Sequence, residues 1–372
     1  MFIPVCEPTL AGNERKYIAD CLESGWISSA GKYIEEFEKQ FSSYCGCRFG
    51  VACTSGTAAL HLALAAACIT DGDEVIIPAF TMIASCNAVI YTGATPVLVD
   101  SELKTWNMDT ALIEQKITER TRAVMPVHTY GHPVDMQPLF ELAEKYNLLI
   151  IEDAAEAHGA EYHGRKAGSL GNAACFSFYA NKIITTGEGG MVVTSDEQLA
   201  ERARLLRNHA FTEPRFFHHH IGFNYRMTNL QAAIGLAQLE KIDELVDARR
   251  RNAEYYTTLL SEIDGIVTPP QAHWAKNVFW MFGILVEESF GITARQLAEE
   301  LRTRGVDTRA FFLPMHRQPV FQNHSKKNYP DVSGNYPAAD ALYQKGLYLP
   351  SSSHLRRDQI EFIVEQIGSL KR

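Results

Sequence analysis

No excess of basic charge marks this 372-residue chain: 35 lysines and arginines stand against 44 aspartates and glutamates, a formal net charge of -9. That excludes a general nucleic-acid binder, whose footprint is basic. A local basic patch for a small phosphorylated molecule stays compatible, because net charge says nothing about one cleft. No pair among the eight cysteines has CxxC spacing, so a zinc ribbon is excluded, and a chain of this length needs no disulfide scaffold. Cys45 and Cys47, the one close pair, read as reduced structural thiols. The most apolar stretch, residues 58–69, carries His61 and is too short to span a bilayer. The start, MFIPVCEPTLAGNERK, has no basic segment followed by an apolar run, so no signal peptide is expected and the location reads as cytoplasmic. Neither GxGxxG after a strand nor GxxxxGK[ST] occurs, which leaves dinucleotide and P-loop readings without their main support. Internal repeats and low-complexity tracts are also missing.

What is there is ordinary globular material: 46% hydrophobic and 21% charged residues supply an adequate core. The length favours a large domain with a smaller one. From residue 48 to 200, short β-rich runs alternate with helical stretches. Strands are predicted at 49–53, 74–78, 96–99 and 148–151, with a further apolar run at 123–127. Helices are predicted at 57–67, about 81–91 and 138–146. Continuous apolar strands separated by helices indicate a mostly parallel sheet covered on both faces, the α/β class. Residues 229–252, rich in Ala, Leu, Glu and Arg, read as one long connecting helix. The expected division is a large unit over 1–250 and a small α+β unit over 251–372, the N-terminal segment packing with the small one. The chain ends in an amphipathic run at 357–370.

Ligands of parallel sheets gather at the carboxyl ends of the strands, and two residues there carry chemistry. Asp153 follows LLII directly in IIEDAAEAHG. An Asp at such a place is ordinarily a helix cap. Lys182 sits in CFSFYANKIITTGEGG, after an apolar strand and before Thr and Gly; most lysines only decorate the surface. Together the two suit a pyridoxal cofactor, the lysine forming a Schiff base and the carboxylate pairing with the protonated pyridine nitrogen. Such a cofactor needs a phosphate cradle. ACTSGTAAL offers one, with Thr54, Ser55, Gly56 and Thr57 between a strand and a helix start; the same residues would serve as an ordinary Ser or Thr cap. Ser177 adds a hydroxyl five residues before Lys182.

With SGWISSAGKYIEEFE, GDEVIIPAFT, GATPVLVD, VMPVHTYGHPVDM, GFNYRMTNLQAAIGLAQL and LPMH in order along nearly the whole chain, the sequence resembles the DegT/DnrJ/EryC1/StrS sugar aminotransferases. These are fold-type I (aspartate aminotransferase-like) pyridoxal 5'-phosphate enzymes. WISS, VHTYGHPVDM and NKIITTGEGGM carry a nearer likeness to members that aminate C4 of GDP-4-keto-6-deoxymannose with glutamate, releasing 2-oxoglutarate. The resemblance implies Lys182 as the cofactor lysine and proton carrier, Asp153 as the ring-nitrogen partner and Glu156 near the ring hydroxyl. It implies Gly56, Thr57 and Ser177 on the phosphate, joined by Asn224 from the second subunit of a homodimer. Trp26, Arg226 and His316 match positions near the nucleotide-sugar cleft. Dehydratases of the family carry histidine in place of the lysine, so Lys182 points to amino transfer; another nucleotide-linked keto-sugar or a cyclitol is the alternative acceptor. Two departures stand out. Met82 occupies the place where relatives stack an aromatic residue on the ring, with Phe80 as a nearby substitute. RFFHHH, residues 215–220, differs from relatives of the nearer kind. Its three adjacent histidines cannot all face one ion, so a loop beside the partner's sugar site, or plain surface, is expected there and no metal.

Overall fold

The computed structural model describes residues 2–322 and 326–372. Among the described residues up to Thr194, nine strands occur: β1 (Phe49–Cys53), β2 (Glu74–Pro78), β3 (Thr95–Val99), β4 (Thr121–Val124), β5 (Leu149–Asp153), the short hairpin β6 (Glu161–Tyr162) and β7 (Arg165–Lys166), β8 (Ala173–Ser177) and β9 (Gly190–Thr194). Seven of them form one sheet in the order β1-β9-β8-β5-β4-β2-β3. Every pairing from β8 to β3 is parallel, and β9 alone runs against both of its neighbours. Mostly parallel was therefore right, and the β and α alternation of the sequence is the α/β fold observed.

Successive residues of a strand face opposite sides, and the core divides accordingly. Val75, Ile77, Leu98, Ala123 and Ile151 join the large cluster that holds helices α3 (Gly56–Ala66) and α4 (Ile83–Tyr91). Their neighbours Ile76, Val99, Val124 and Ile150 join a second cluster with Leu139 of the helix Gln137–Tyr146. Both faces are covered, which is why these strands read as unbroken apolar runs. The helix α3 is buried nearly all round, which its sequence GTAALHLALAA, without one charge, permits.

The expected single helix over 229–252 is two, Asn229–Leu239 and Ile242–Leu260. Lys241 leaves helical geometry and its N–H turns to the Gln238 carbonyl at 3.1 Å, while the Glu240 carboxylate is held by Asn13 Nδ2 at 2.6 Å and by Tyr17. The apolar spacing continues across the break, so periodicity could not show it. The second helix passes through residue 250. Its later part packs with the four-stranded antiparallel sheet of β10 (Ile266–Val267), β12 (Phe282–Val286), β13 (Arg309–Ala310) and β14 (Gly346–Leu349), and with the helices Ala294–Thr303 and Arg357–Gly368. Ile3 enters that same core and pairs with Val306. A remaining strand, β11 (Ala275–Lys276), pairs with β6. Among the described residues no helix is long and apolar enough to cross a membrane.

One buried polar node fixes the strand ends. Glu152, fully buried, accepts hydrogen bonds from the N–H groups of Gly168, Leu170 and Gly171, each at 2.8 Å, and faces His128 Nε2 at 3.0 Å. His128 Nδ1 accepts from Val134 N–H at 3.1 Å, so Nε2 carries the proton that Glu152 receives. Glu152→Gln leaves donors facing an amide that cannot accept them all, and a loss of about 3 kcal/mol is expected. Urea unfolding of the cofactor-free protein checks this; an unchanged midpoint would deny Glu152 its structural role.

Candidate active site

Because the parallel strands point the same way, the segments leaving their carboxyl ends all emerge at one edge. After β1 comes Ser55, whose hydroxyl caps α3 by accepting from Ala58 N–H at 3.1 Å. The N–H groups of Gly56 and Thr57, in the first turn, have no partner within the helix. A Cβ on Gly56 would lie 2.7 Å from Ser177 Cβ, so only glycine lets the helix start approach the end of β8. After β2 comes the loop carrying Thr81 and Met82; after β5, Asp153 to Glu156; after β8, Ser177 and the loop to Lys182. These segments enclose a cleft of about 360 Å³, closed on its other side by Trp280, Phe312 and Tyr348.

Lys182 is held by a tightly pinned loop. Phe178 N–H donates to the Gly189 carbonyl at 2.8 Å and Thr186 N–H to the Phe178 carbonyl at 3.0 Å, while Lys182 N–H caps a turn on Tyr179 at 2.9 Å. The Lys182 side chain is buried, its Nζ 3.8 Å from Glu156 Oε1 and 3.5 Å from the centre of the Trp280 ring. Burial pushes its ammonium below the ordinary lysine value, and the charges of Glu156 and Asp153 oppose that fall. Burial pushes Glu156 up to about 7, with Lys182 and a backbone donor pulling the other way. That donor is Tyr130 N–H, 2.7 Å from Glu156 Oε2. Tyr130 sits in the left-handed region at φ 53, a strained place for a tyrosine, held there by this bond and by Trp280, Phe311 and Phe312 around its ring.

Asp153, also buried, accepts from Ser85 Oγ at 2.7 Å and from Ala155 N–H at 3.2 Å. Burial raises its carboxyl above the usual range, against the hydrogen bond from Ser85. Among the described residues, no cationic side chain lies within ion-pairing distance of it. Gly56, Thr57, Met82, Asp153, Glu156, Ser177 and Lys182 thus meet in one cleft. Trp26, Asn224, Arg226 and His316 are not among the residues that line it. Trp26 is exposed. Arg226 donates to Asn208 Oδ1 at 2.7 Å and Asn224 Oδ1 at 2.6 Å, and His316 Nε2 lies 3.0 Å from Asp340. Phe80 is fully buried against Tyr130, Phe311 and Phe312 and does not line the cleft, whereas Met82 does. His218 turns to the His209 carbonyl at 2.9 Å and His219 packs on Phe217; the three histidines do not converge. Trp280, Thr81 and Ser85 were missed: Trp280 lies in an apolar run, VFWMF, with nothing in its spacing to single it out.

The model of the DegT/DnrJ/EryC1/StrS aminotransferase family matches residues 8–368. The chain belongs to that family. Among relatives, a GDP-perosamine synthase of Caulobacter vibrioides is 48% identical, covering 99% of this chain and 98% of its own length. A GDP-perosamine synthase of Escherichia coli O157:H7 is 42% identical, with coverage of 99% and 98%. Among solved structures, the PLP-form of the putative sugar aminotransferase Spr1654 from Streptococcus pneumoniae superimposes with a TM-score of 0.91 at 27% identity, covering 100% of this chain and 98% of that one. Family members thus share this fold as well as sequence, and the fold-type I expectation holds.

A lysine whose ammonium is disfavoured by burial is neutral at lower pH than its solvent-exposed counterparts. In cofactor-free protein, cyanate at pH 7.5 is therefore expected to carbamylate Lys182 faster than the exposed lysines. Glu156→Gln removes a charge that favours the ammonium, so its Lys182 should react faster still. Peptide mass spectrometry reads both; equal rates at all lysines would contradict the electrostatics of the cleft.

Proposed function

We propose that this chain is a pyridoxal-phosphate-dependent transaminase that moves the amino group of glutamate onto the C4 keto group of GDP-4-keto-6-deoxymannose, giving GDP-perosamine. The observation that carries the reading is a buried carboxylate, Asp153, without a cationic partner among the described residues, in the same cleft as an equally buried Lys182. Such a carboxylate suits a protonated pyridine nitrogen. Four features fit the rest of that cofactor: the Gly56 and Thr57 N–H groups at the start of α3, the Gly56 approach to Ser177, the Thr57 and Ser177 side chains for a phosphate, and an amine for the aldehyde. When bound, pyridoxal phosphate supplies an aldehyde for amines to join and a ring that takes up electron density when a neighbouring proton leaves.

The chain's own residues then have distinct tasks. Asp153 keeps the ring nitrogen protonated. Glu156, raised to about 7, holds a proton through part of the neutral range and can give it to the ring hydroxyl. Lys182 Nζ, depressed by burial, accepts the α proton of the donor and returns it, which an amine does best when its pKa lies near the working pH. Trp280, Phe312 and Tyr348, which close the cleft opposite the strand ends, limit water there. Met82, which lines the cleft, would offer a bound ring a polarizable thioether. Trp26, Arg226 and His316 are assigned to the nucleotide-sugar, and Asn224 to the phosphate held by a second subunit. In support of a homodimer, the loop before Asn224 exposes Phe216 and Ile221, 73% and 91% accessible, an apolar surface a second copy would cover. The substrate follows the two GDP-perosamine synthase relatives, and the glutamate donor follows the family resemblance.

Glutamate added to the cofactor-loaded protein is expected to bleach its visible absorbance, and GDP-4-keto-6-deoxymannose to restore it where dTDP- and UDP-linked keto-sugars do not. Varying both substrates should give parallel double-reciprocal lines; intersecting lines would refute the two-stage exchange. Lys182→Ala should retain cofactor and lose at least about a thousandfold in rate.

A further inference from the structure

What holds Asp153 in place is a pair of hydroxyls that no motif announces. Ser85 Oγ lies 2.7 Å from Asp153 Oδ2, and Thr81 Oγ1 lies 2.9 Å from Ser85 Oγ. Both residues are buried. Ser85 is the third residue of α4, and Thr81 belongs to the preceding loop that also carries Met82. The directions of these bonds follow from counting protons. An ionised carboxylate only accepts, and a serine has one proton to give. Ser85 therefore donates to Asp153, and its 3.3 Å approach to the Met82 carbonyl carries no proton. Thr81 in turn donates to Ser85. Two oriented hydroxyls end on one carboxylate oxygen, and donors to an ionised group in a water-poor site bond strongly and reinforce one another.

No other group takes this part. The second donor to Asp153 is Ala155 N–H at a longer 3.2 Å, on the other oxygen. The other titratable groups facing Asp153 are Lys182, Glu156, His128 and Cys175. His128 is turned to Glu152 and Val134, and Lys182 to Glu156 and Trp280. The start of α4, with its partial positive charge, lies on the same side as Ser85 and favours an anion there.

We infer that Ser85, backed by Thr81, is the positioning residue that keeps Asp153 aimed and ionised, and that it ties this carboxylate to the loop bearing Met82. The inference rests on the proposed pairing of Asp153 with the cofactor's ring nitrogen. Under it, the residue that holds the nitrogen and the residue that covers the ring move as one body: Ser85 N–H also bonds the Met82 carbonyl at 3.2 Å.

The test uses full-length protein loaded with ring-15N pyridoxal phosphate, in four forms: wild type, Ser85→Ala, Thr81→Val and Asp153→Asn. In Ser85→Ala the nitrogen resonance is expected to move toward that of the unprotonated ring. Its cofactor dissociation constant should rise roughly ten- to a hundredfold, and the glutamate half-reaction should slow with it. Thr81→Val, which keeps the volume and removes only the hydroxyl, should give a smaller shift in the same direction. It decides the matter alone should Ser85→Ala fail to fold. A resonance and dissociation constant unchanged in the hydroxyl variants, while Asp153→Asn shifts both, overturns the inference and leaves the proposed function standing. If Asp153→Asn also changes neither, the pairing itself is wrong.

Discussion

One lysine and two carboxylates lie buried in the wall of one cleft, and their protons have to be arranged among themselves. Burial works to neutralise all three: it lowers Lys182 and raises both Glu156 and Asp153. Mutual attraction works against burial, so no member has a protonation state independent of the others. Such a cluster costs free energy that a folded chain tolerates only where the groups are held rigidly. Rigid holding is what the sheet supplies. Lys182 follows β8, whereas Asp153 ends β5 and Glu156 follows it, and the two strands are hydrogen-bonded neighbours.

Adjacent residues at the end of β5 divide the labour. Glu152 and Asp153 differ in chemistry by one methylene, yet the pleat sends them to opposite faces. Glu152 turns inward and is saturated by three backbone N–H groups and a histidine. Asp153 turns to the cleft, where Ser85 and Ala155 donate to it and no cation among the described residues pairs with it. The first makes the strand end stiff, and the second uses that stiffness to present a charge at a fixed place.

Much of this was readable from the residues. Continuous apolar runs located the strands at 49–53 and 74–78 to the residue, and the strand-end rule brought Asp153 and Lys182 to one edge. Gly56, Thr57 and Ser177 meet there because a helix start is packed against a strand end, which the order strand, TSGT, helix implies. What stayed hidden depends on contacts between distant segments. The break at Lys241 follows Glu240, whose carboxylate is held by Asn13 and Tyr17 from over 200 positions away. Trp280 reaches Lys182 from nearly 100 positions downstream, out of a run that reads only as core. Ser85 is the subtler omission: in IASCNAVIY a hydroxyl on the buried face of an apolar helix asks for a partner, but nothing local names Asp153 as the partner. Phe80 misled for the opposite reason. It is aromatic and near the site in sequence, yet residue 80 points into the core and residue 82 into the cleft.

The reversed strand β9 also sets a limit on how this chain can diverge. A loop joining two parallel strands is free to lengthen, because its crossover lies outside the sheet. The segment from Phe178 to Gly189 instead closes a hairpin, with both ends locked by ladder hydrogen bonds between β8 and β9. A one-residue insertion or deletion there has nowhere to be absorbed. It would either slip β9 by one place, turning Met191 and Val193 to the wrong face, or rotate the turn that presents the amine. Sequence drift in this stretch is thus confined to exchange of side chains at constant length, while the loop of residues 211–221, free of the sheet, can vary in both.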